Sequence, residues 1–373
     1  MTKKTFLITL TPLDPYFFGS ENTHGDGGAN YFARSNRWPQ QSTLCGVMRH
    51  LLYEHYGDPG RGTHSFTPEA IDPLLDNYGY LLGLSPLFLQ RGDGSFFLRQ
   101  SFNRFADSEP WPLVQSQEND ETFFLTGQES VDNWRSLPIW TKPEGKKAAI
   151  DAWVNQTGEE VPSEQIFRQL TRPGITKGSN TKGNNREKAF YKQSSYRLAE
   201  GWSFAVLAEF DEAVVLDTLR GTCLPMGGEK TVFIIGVEEE SRTFKEIFQP
   251  EKFFYQSSSL PEKHTLLVLT SDAFLELTDL AQVVSGVTEI VDFRCLNTRT
   301  GANAPEHFGP LHRLLPGESG FGKNYLAKSS KYNLLERGSV LICADHDLPK
   351  LKVALGRAPW HGIGFNHYFT YTA

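Results

Sequence analysis

The sequence predicts an α+β protein with many turns, and three observations carry this prediction. Residues 5–12, "TFLITLTP", alternate and are β-branched, which is typical of a strand. Residues 44–52 place apolar side chains at helical spacing. Glycine occurs 33 times and proline 21 times in the 373 residues, which indicates many turns between several strands. One helix, several strands and long insertions together favour α+β modules.

The opening of the chain is predicted to be a strand, a loop and a helix. The strand ends at "PLDPYFFGS", because its prolines cannot continue a β-ladder. The next segment, "GSENTHGDGGANYF", is polar and rich in glycine. A helix follows Pro39, with Ser42 or Thr43 as its cap and Gly57 at its end. Its apolar positions are Leu44, Val47, Met48, Leu51 and Leu52.

The rest of the chain shows one tight hairpin and several strands. A hairpin is predicted around Asp93 and Gly94, since Asp-Gly between apolar runs favours a tight turn. Residues 105–165 are predicted to be mostly loops, anchored by tryptophans. Further strands are predicted in "GWSFAVLAEF", "TVFIIGVEE", "HTLLVLTSD" and "GSVLICAD", and a helix in "EEESRTFKEIF".

The charge of the chain is unevenly distributed. The formal net charge is −7, which on its own disfavours a nucleic-acid partner. Residues 172–197 nevertheless contain seven Lys/Arg and one acid, and residues 294–337 contain seven Lys/Arg and three acids. Two basic segments on an acidic body indicate a local anion site. Solvated surface loops are the alternative.

The sequence predicts a protein of the reducing cytoplasm that has no membrane-spanning segment. The apolar run at the N-terminus is too short and too interrupted for a signal peptide. No stretch reaches the roughly 20 apolar residues of a membrane span. No cofactor motif is recognisable, and four dispersed cysteines without a CxxC pattern indicate neither a zinc site nor a disulfide framework. These cysteines are Cys45, Cys223, Cys295 and Cys343.

Four segments, in order, resemble the RAMP superfamily of CRISPR proteins. The opening "ITLTPLDPYFF" and "WPQQSTLCGVMRHLL" is similar to the first strand and helix of that superfamily. The segment "LTRPGITKGSNTKGNNREKAFYKQSSYRLAEGWSF" is similar to its R-GI segment, which precedes a long hairpin. "LPMGGEKTVF" resembles a turn of the type III-B (Cmr) subunit that caps the 5′ end of the guide RNA. "KYNLLERGSVLI" resembles a strand of the same family.

The resemblance implies two ferredoxin-like, RRM-related modules with long insertions and a β-hairpin thumb. The first module is expected over residues 1–211, with the thumb at about 172–197. The second is expected over residues 212–373 and ends in a glycine-rich segment.

The basic segment 172–197 is the main predicted RNA contact. RNA bound without base pairing needs cations for its phosphates and flat faces for its bases. The segment supplies Phe190 and Tyr191 as aromatic faces. Its candidate phosphate partners are Arg172, Lys177, Lys182, Arg186, Lys188 and Lys192. In the resemblance this segment is the thumb that contacts the guide–target duplex. A charged surface loop is the alternative.

Three further sets of residues complete the predicted RNA contacts. Glycine allows a phosphate to approach backbone amides, which motivates Gly362 and Gly364 in the closing segment "GRAPWHGIGFNHYFTY". Phe365 is a candidate stacking residue there, with core packing as its alternative. The resemblance adds Arg49 on the first helix, with a surface salt bridge as its alternative. It also adds the turn residues Gly227, Gly228 and Lys230. The alternative interpretation of these three residues is a plain hairpin bend.

The expected function is that of a non-catalytic scaffold. By the resemblance, the protein binds the 5′ tag of the guide RNA (crRNA) and contacts the guide–target duplex. It joins a large polymerase-like subunit to the first backbone RAMP subunit in antiviral defence. The equivalent subunit of a type III-A (Csm) complex is one alternative. A guide-processing endoribonuclease using His24 is another, and loss of cleavage on His24→Ala would distinguish it.

Overall fold

The computed structural model describes most of the chain in separate stretches. They are residues 3–19, 30–56, 80–103, 115–116, 122–123, 139–141, 151–175, 190–212, 214, 216, 219–227, 229–250, 263–293, 296–300, 324–328, 332–357 and 360–372.

Strands dominate the described residues. In the first half of the chain they are β1 (Lys3–Pro12), β2 (Phe18–Gly19), β3 (Asn30–Ala33), β4 (Ser35–Asn36), β5 (Leu81–Leu84), β6 (Phe88–Arg91), β7 (Phe96–Arg99), β8 (Gln115–Ser116), β9 (Thr122–Phe123), β10 (Ile139–Thr141), β11 (Ala152–Asn155), β12 (Glu160–Pro162) and β13 (Phe167–Ile175). In the second half they are β14 (Phe190–Leu198), β15 (Trp202–Asp211), β16 (Cys223–Met226), β17 (Thr231–Glu239), β18 (His264–Leu269), β19 (Val283–Thr288), β20 (Ile290–Phe293), β21 (Leu296–Thr300), β22 (Asn324–Lys328), β23 (Tyr332–Leu335), β24 (Val340–Ala344) and β25 (Tyr368–Thr372).

Among the described residues, helices are few and mostly short. They are α1 (Gln41–Tyr56), α2 (Ser163–Ile166), α3 (Phe244–Phe248), α4 (Leu277–Leu280) and α5 (Leu348–Leu355), with a 3-10 turn at His361–Ile363. The predicted α+β class is therefore confirmed. Within the described residues, no helix combines the length and apolar character needed to cross a membrane.

Two antiparallel arrangements organise the chain. The first sheet has the order β12-β11-β7-β6-β15-β1-β17-β16, and β5 also pairs with β15. The second has the order β10-β19-β24-β18-β25, antiparallel except for the β10–β19 pair. In the first sheet β1 lies between the later strands β15 and β17, and in the second sheet β18 lies between the later strands β24 and β25. The two sheets thus repeat one spatial order.

The first sheet is covered on both faces. One face packs under α1, where Leu44, Met48 and Leu52 join a core that includes Phe204 and Phe233. The other face packs against the second sheet, in a core that includes Leu7, Phe88, Leu207, Leu266 and Ile342. This two-sided burial is clearest in β15, where every residue from Phe204 to Ala208 is apolar and buried, as expected for a strand covered on both faces.

Helix α3 closes the seam between the two sheets. The Phe248 ring lies 5.3 Å from that of Phe88 on the first sheet. The Phe244 ring stacks 5.8 Å from that of Phe369 on the second sheet. Thr243 and Glu246 form a capping box that starts this helix. The predicted helix in residues 238–248 is thus confirmed only from Phe244 onward, because β17 continues to Glu239.

Several local predictions can be compared with the structure. The first helix is confirmed and begins at Gln41, one residue before the predicted cap. The turn at Asp93 and Gly94 joins β6 to β7, and Gly94 has the positive φ of 84° that a tight turn needs. The prediction of loops up to residue 165 is wrong from Ala152 onward. There the apolar run "AWVN" pairs with β7 and Trp153 is fully buried.

The predicted module boundary between residues 211 and 212 falls before β17. That strand pairs with β1 over Phe6–Pro12, in the first sheet. The first sheet therefore includes strands from both sides of the predicted boundary.

We expect Asp272→Ala to lower the free energy of unfolding by about 3–5 kcal/mol. Asp272 accepts hydrogen bonds from Nε and Nη2 of Arg337, both at 3.2 Å, and Arg337 is 0% exposed. Removing the carboxylate leaves a buried guanidinium without its counterion. Urea denaturation measures the loss.

The matched control is Glu209→Ala, which breaks the exposed ion pair with Lys3 (side chains 37% and 54% exposed). That change should cost no more than about 1 kcal/mol. Equal losses for the two variants would show that burial does not increase the contribution of the Asp272–Arg337 pair to the free energy of unfolding.

Candidate nucleic-acid interface

The predicted basic segment is a two-stranded hairpin arm. Strands β13 and β14 pair antiparallel from Phe167–Leu198 to Ile175–Phe190. Strand β3 joins β14 in parallel on the other side. Lys177, Lys182, Arg186 and Lys188 lie outside the described residues. The backbone of Tyr191 lies in β14.

Three arginines lie on one face of this hairpin. The register places Arg168 directly opposite Arg197 and Arg172 opposite Gln193, so the three share a face. All three side chains are exposed, and no ion pair joins them to a described residue. Like charges directly opposite each other on a sheet are destabilising. A bound anion would remove this repulsion, so the geometry suits a phosphate backbone.

The opposite face combines cations with an aromatic ring. Lys192 is exposed and is in register with Phe32 on β3. The Arg34 guanidinium lies 5.0 Å from the centre of the Phe32 ring, and Phe32 is 37% exposed. Stacking faces beside cations are the usual means of binding single-stranded RNA.

The predicted turn at residues 226–230 adjoins the hairpin. Gln193 Nε2 on β14 donates to Glu229 Oε1 at 2.9 Å. Gly227 has a φ of 85°, and a Cβ there would lie 2.6 Å from the Phe17 carbonyl oxygen. Close packing against the "PLDPYFF" segment therefore explains why residue 227 is a glycine. Lys230 is exposed at a φ of 55°. Gly228 lies outside the described residues.

The hairpin is anchored at its base by a polar network. Tyr16 and Tyr196 exchange backbone hydrogen bonds of 2.8 and 3.0 Å. The Tyr16 hydroxyl donates to the Arg37 carbonyl oxygen at 2.7 Å. Arg37 and Arg99 both donate to the carboxylate of Asp151.

Asp151 holds the two guanidinium groups of this network together. Its burial alone raises the pKa, but the charge of Arg99 and hydrogen bonds from Ser163 and Arg37 outweigh burial. The pKa of Asp151 is therefore held well below its usual range. The carboxylate stays ionised and holds the strands that meet at the base of the hairpin.

Arg49 lies half-buried on α1, one turn after Cys45. Burial raises the pKa of the Cys45 thiol to about 12, although the charge of Arg49 opposes the shift. Cys45 is therefore a protonated core residue.

The closing glycine segment packs against protein. Gly364 has a φ of 91°, and a Cβ there would lie 1.8 Å from Gln41 Nε2 and 2.4 Å from the Ser85 carbonyl oxygen. Gln41 Nε2 donates to the carbonyl oxygens of Ser85 (2.8 Å) and Ile363 (3.2 Å). The close neighbours that require glycine here are thus the Ser85 backbone and the side chain of Gln41, the first residue of α1.

Phe365 belongs to the core. It is 0% exposed, and its ring lies 5.3 Å from the rings of Trp360 and Phe293. Its predicted role as a stacking face for RNA does not fit this burial. A single aromatic residue beside glycines has the same sequence pattern in either role, so its spacing did not distinguish them.

Gly362 borders a cleft of about 1240 Å³ between the first sheet and β25. Two imidazoles line this cleft, and the rings of His361 and His367 stack 4.0 Å apart. Burial, together with the neighbouring His361, lowers the pKa of His367 to about 3. In the described part of the chain, no three His, Cys, Asp or Glu side chains group as a metal site would require.

Sequence reasoning missed four residues of the hairpin surface. Arg168 lies four residues before the basic segment 172–197, and Arg197 lies within that segment but is not among its predicted phosphate partners. Phe32 is the last residue of the glycine-rich segment "GSENTHGDGGANYF", and Arg34 follows it by two positions. The spacing of these residues carried no strand signal, because neither "FRQLTR" nor "YFAR" alternates polar and apolar residues; the strands follow from pairing with distant residues.

Comparisons with known proteins found one family and several solved structures that resemble this chain. The family described as CRISPR-associated protein (Cas_Cmr3) matches residues 8–98 and 101–300. A chain in a cryo-EM structure of the type III-B Cmr-beta bound to cognate target RNA has a similar fold, with a TM-score of 0.51 and 13% identity over 98% of this chain and 96% of that one. A chain in the crystal structure of a Csm3-Csm4 subcomplex, from the type III-A CRISPR-Cas interference complex, gives a TM-score of 0.35 and 11% identity over 90% and 92%. No curated protein matches.

We expect Gly364→Ala to destabilise the protein by roughly 2–5 kcal/mol, because it adds left-handed strain to a steric overlap with Gln41 and Ser85. Thermal unfolding measures the effect. Gly94→Ala is the control, since Gly94 has a φ of 84° but no atom within 4 Å of its added Cβ. The free energy of unfolding of this control should fall by only about 1–2 kcal/mol, the cost of left-handed backbone strain. Similar losses in both variants would argue against the close contact at Gly364.

We expect the segment around His367 to become less stable as the pH falls. The pKa of His367 is about 3 in the folded protein, below the ordinary value of 6.5, so the unfolded chain binds the proton first. Neutral His367 makes its full contribution to the free energy of unfolding above pH 6.5. This contribution is lost as the pH falls from 6.5 towards 3.

Because His367 is half-buried, the loss should be about 1 kcal/mol between about pH 7 and pH 5. Urea denaturation of the wild type and of His367→Gln at both pH values measures it. Gln does not titrate, so the variant should lack this part of the pH dependence. Equal pH dependence in the two proteins would contradict the assignment.

Proposed function

The chain belongs to the CRISPR-associated protein (Cas_Cmr3) family, and from this premise we propose that it binds the 5′ tag of the guide RNA within a type III-B complex. Family membership makes it a subunit of a type III CRISPR complex and confirms the predicted family. The matched residues include the first three motifs, whereas the fourth, at residues 331–342, lies beyond them. RNA binding, the tag and the docking roles are the proposal.

The face of β13–β14 that carries Arg168, Arg172 and Arg197 is the observation that supports RNA binding most directly. Two of these arginines face each other across the strands without a described counterion, although the whole chain carries a net charge of −7. An acidic protein would gain stability from an acid at this position. Three exposed arginines there instead favour a polyanion as the missing partner.

We propose that the turn at residues 226–230 adds to this RNA-binding surface. Lys230 adds a cation, and the Gln193–Glu229 hydrogen bond fixes the turn against the hairpin. We assign the tag to the surface formed by hairpin and turn, together with the basic residues 177–188. The duplex would lie along the arm. The acidic remainder of the chain would face the large polymerase-like subunit on one side and the backbone RAMP subunit on the other.

The strand orders support two ferredoxin-like modules. In the second sheet β18, α4, β19, β24, α5 and β25 follow the β-α-β-β-α-β path of that fold, with β18 between β24 and β25. The first sheet has the same strand order, β6-β15-β1-β17. We propose that the first module continues through β17 and that the second begins with β18. The predicted boundary at residue 211 would then move past β17.

The proposed role is non-catalytic. The protein orients RNA by contacts to phosphates and bases, which needs no group that transfers a proton. Incubation with tagged RNA should therefore leave the RNA intact, whereas cleavage lost in His24→Ala would support the endoribonuclease instead.

We expect the change of Arg168, Arg172 and Arg197 to Gln to weaken binding of a short RNA with the repeat-derived 5′ tag. Each lost phosphate contact should reduce the slope of log affinity against log salt by roughly 0.7–1, so the triple variant should lose roughly 2–3 units. Fluorescence anisotropy over a salt series measures affinity and slope. The change of Lys182, Arg186, Lys188 and Lys192 to Ala should act in the same direction.

The matched control changes Lys245, Lys263 and Lys352 to Gln. These exposed lysines lie outside the hairpin and alter the net charge by the same amount. The control should keep nearly the full salt slope, and a scrambled tag should bind more weakly to the wild type. An equal loss in both triple variants would mean that net charge alone governs binding, and no binding of tagged RNA would refute the proposal.

A further inference from the structure

Strand β25 leaves one edge of the second sheet open. Four described strands end the two large sheets. Of these, β10 and β12 have three residues each, β12 also ends in Pro162, and β16 contains Pro225. Short strands and prolines are common means of blocking an edge against pairing. β25 has five residues, "YFTYT", without proline, glycine or charge. Aromatic and β-branched residues favour strands, so this edge is suited to pair with another strand.

The backbone groups on the outer side of β25 are available for hydrogen bonds. The Thr270 N–H, at the end of β18, donates to the His367 carbonyl oxygen at 2.9 Å. Hydrogen bonds of an antiparallel pair alternate along each strand, so the backbone groups of Phe369 and Tyr371 bond to β18. The intervening residues direct their N–H and C=O groups outward, where no described residue bonds them. They are Tyr368, Thr370 and Thr372.

The open edge borders the cleft of about 1240 Å³, and all five residues of β25 line this cleft. Its volume exceeds the roughly 300–1,000 Å³ of pockets that hold drug-sized ligands, which leaves room for a short peptide. Two other lining residues are apolar and partly exposed, namely Leu82 and the half-buried Phe244. A strand added to β25 would turn every second side chain toward the first sheet. The cleft therefore suits an extended segment with apolar residues at alternate positions.

The charges of the cleft favour a protein segment over RNA. Two ion pairs, Lys3–Glu209 and Arg242–Glu240, have N···O distances of 2.7 Å and neutralise four of the charged side chains in its lining. The described cations of the cleft are thus largely paired, unlike the three arginines of the hairpin. A polyanion would find few free cations here.

The position of the cleft indicates which subunit reaches it. The cleft borders Lys3–Thr5 at the start of β1, whereas the hairpin base contacts Tyr16, after the end of β1. Thr5 and Pro12 lie roughly 24 Å apart along this strand, at about 3.4 Å per residue. The backbone RAMP subunits would follow the RNA along the arm. The large subunit is therefore the neighbour expected at the end with the cleft.

We propose that β25 accepts an extended segment of the large polymerase-like subunit, which adds a strand to the second sheet. Backbone hydrogen bonds along the open edge supply affinity, and apolar side chains against Leu82 and Phe244 supply selectivity. The inference rests on the proposed docking role and names the surface and the form of that contact.

Hydrogen exchange at single residues tests the added strand with the full-length protein. Exchange is measured for the protein alone and after addition of the purified large subunit, without RNA. The amides of Tyr368 and Thr370 should exchange roughly 10-fold more slowly in the mixture, because each gains a hydrogen bond. The amides of Phe369 and Tyr371 already bond to β18, so their exchange should change little.

Thr370→Pro removes one outward N–H that β18 does not use, and the proline ring obstructs an incoming strand. Its affinity for the large subunit, measured by calorimetry, should fall roughly 10-fold. Thr370→Val is the matched control, because it changes the same side chain but keeps the N–H, and it should bind like the wild type. Both variants should bind tagged RNA with the salt slope of the wild type, since Thr370 lies far from the hairpin.

The exchange measurement uses the wild type, so it does not depend on the folding of a variant. Unchanged exchange at Tyr368 and Thr370, or equal slowing along the whole of β25, would overturn the added strand. Slowing caused only by the backbone RAMP subunit would overturn the choice of partner. Slowing that increases with the concentration of this chain alone would assign the edge to a second copy. Because the mixture contains no RNA, a failure of RNA binding would refute the tag role without altering these results.

Discussion

Burial of both faces of the first sheet is the constraint on which the rest of the structure depends. Helix α1 covers one face and the second sheet covers the other, so β1 and β15 are fixed from both sides. Only three residues separate β14 from β15, and the Ala199 N–H donates to the Ile166 carbonyl oxygen at 2.8 Å. The direction of the hairpin is therefore set by the core. A rigid sheet can hold the basic arm in place before any partner binds.

The charges of the hairpin arm differ between its base and its outer part. The carboxylate of Asp151 neutralises arginines at the base of the arm, whereas the arginines further out have no described acid beside them. The protein can thus combine a negative net charge with a local positive surface. This separation favours protein contacts over the body and polyanion contacts along the arm, which is what a subunit between RNA and other proteins requires.

The sequence predicted elements that depend on neighbouring residues and missed those that depend on distant pairing. The strand at 5–12, the helix after Pro39 and the turn at Asp93–Gly94 follow from local spacing and turn chemistry. The pairing of Arg168 with Arg197, and of Arg37 with Asp151 114 residues away, follows from the register of the fold. Gly364 shows a third case. The glycine spacing predicts a close neighbour at this position, but only the fold shows that the neighbours are the Ser85 backbone and the Gln41 side chain rather than a phosphate.

The measurement that bears most directly on the proposed role is a crosslinking map of tagged RNA on the full-length protein, read by mass spectrometry. If the hairpin and the adjoining turn hold the tag, crosslinks will concentrate in residues 167–198 and 226–230 and will disappear with a scrambled tag. Crosslinks concentrated on α5 or on the exposed face of the second sheet, or an equal pattern for tagged and scrambled RNA, would contradict it.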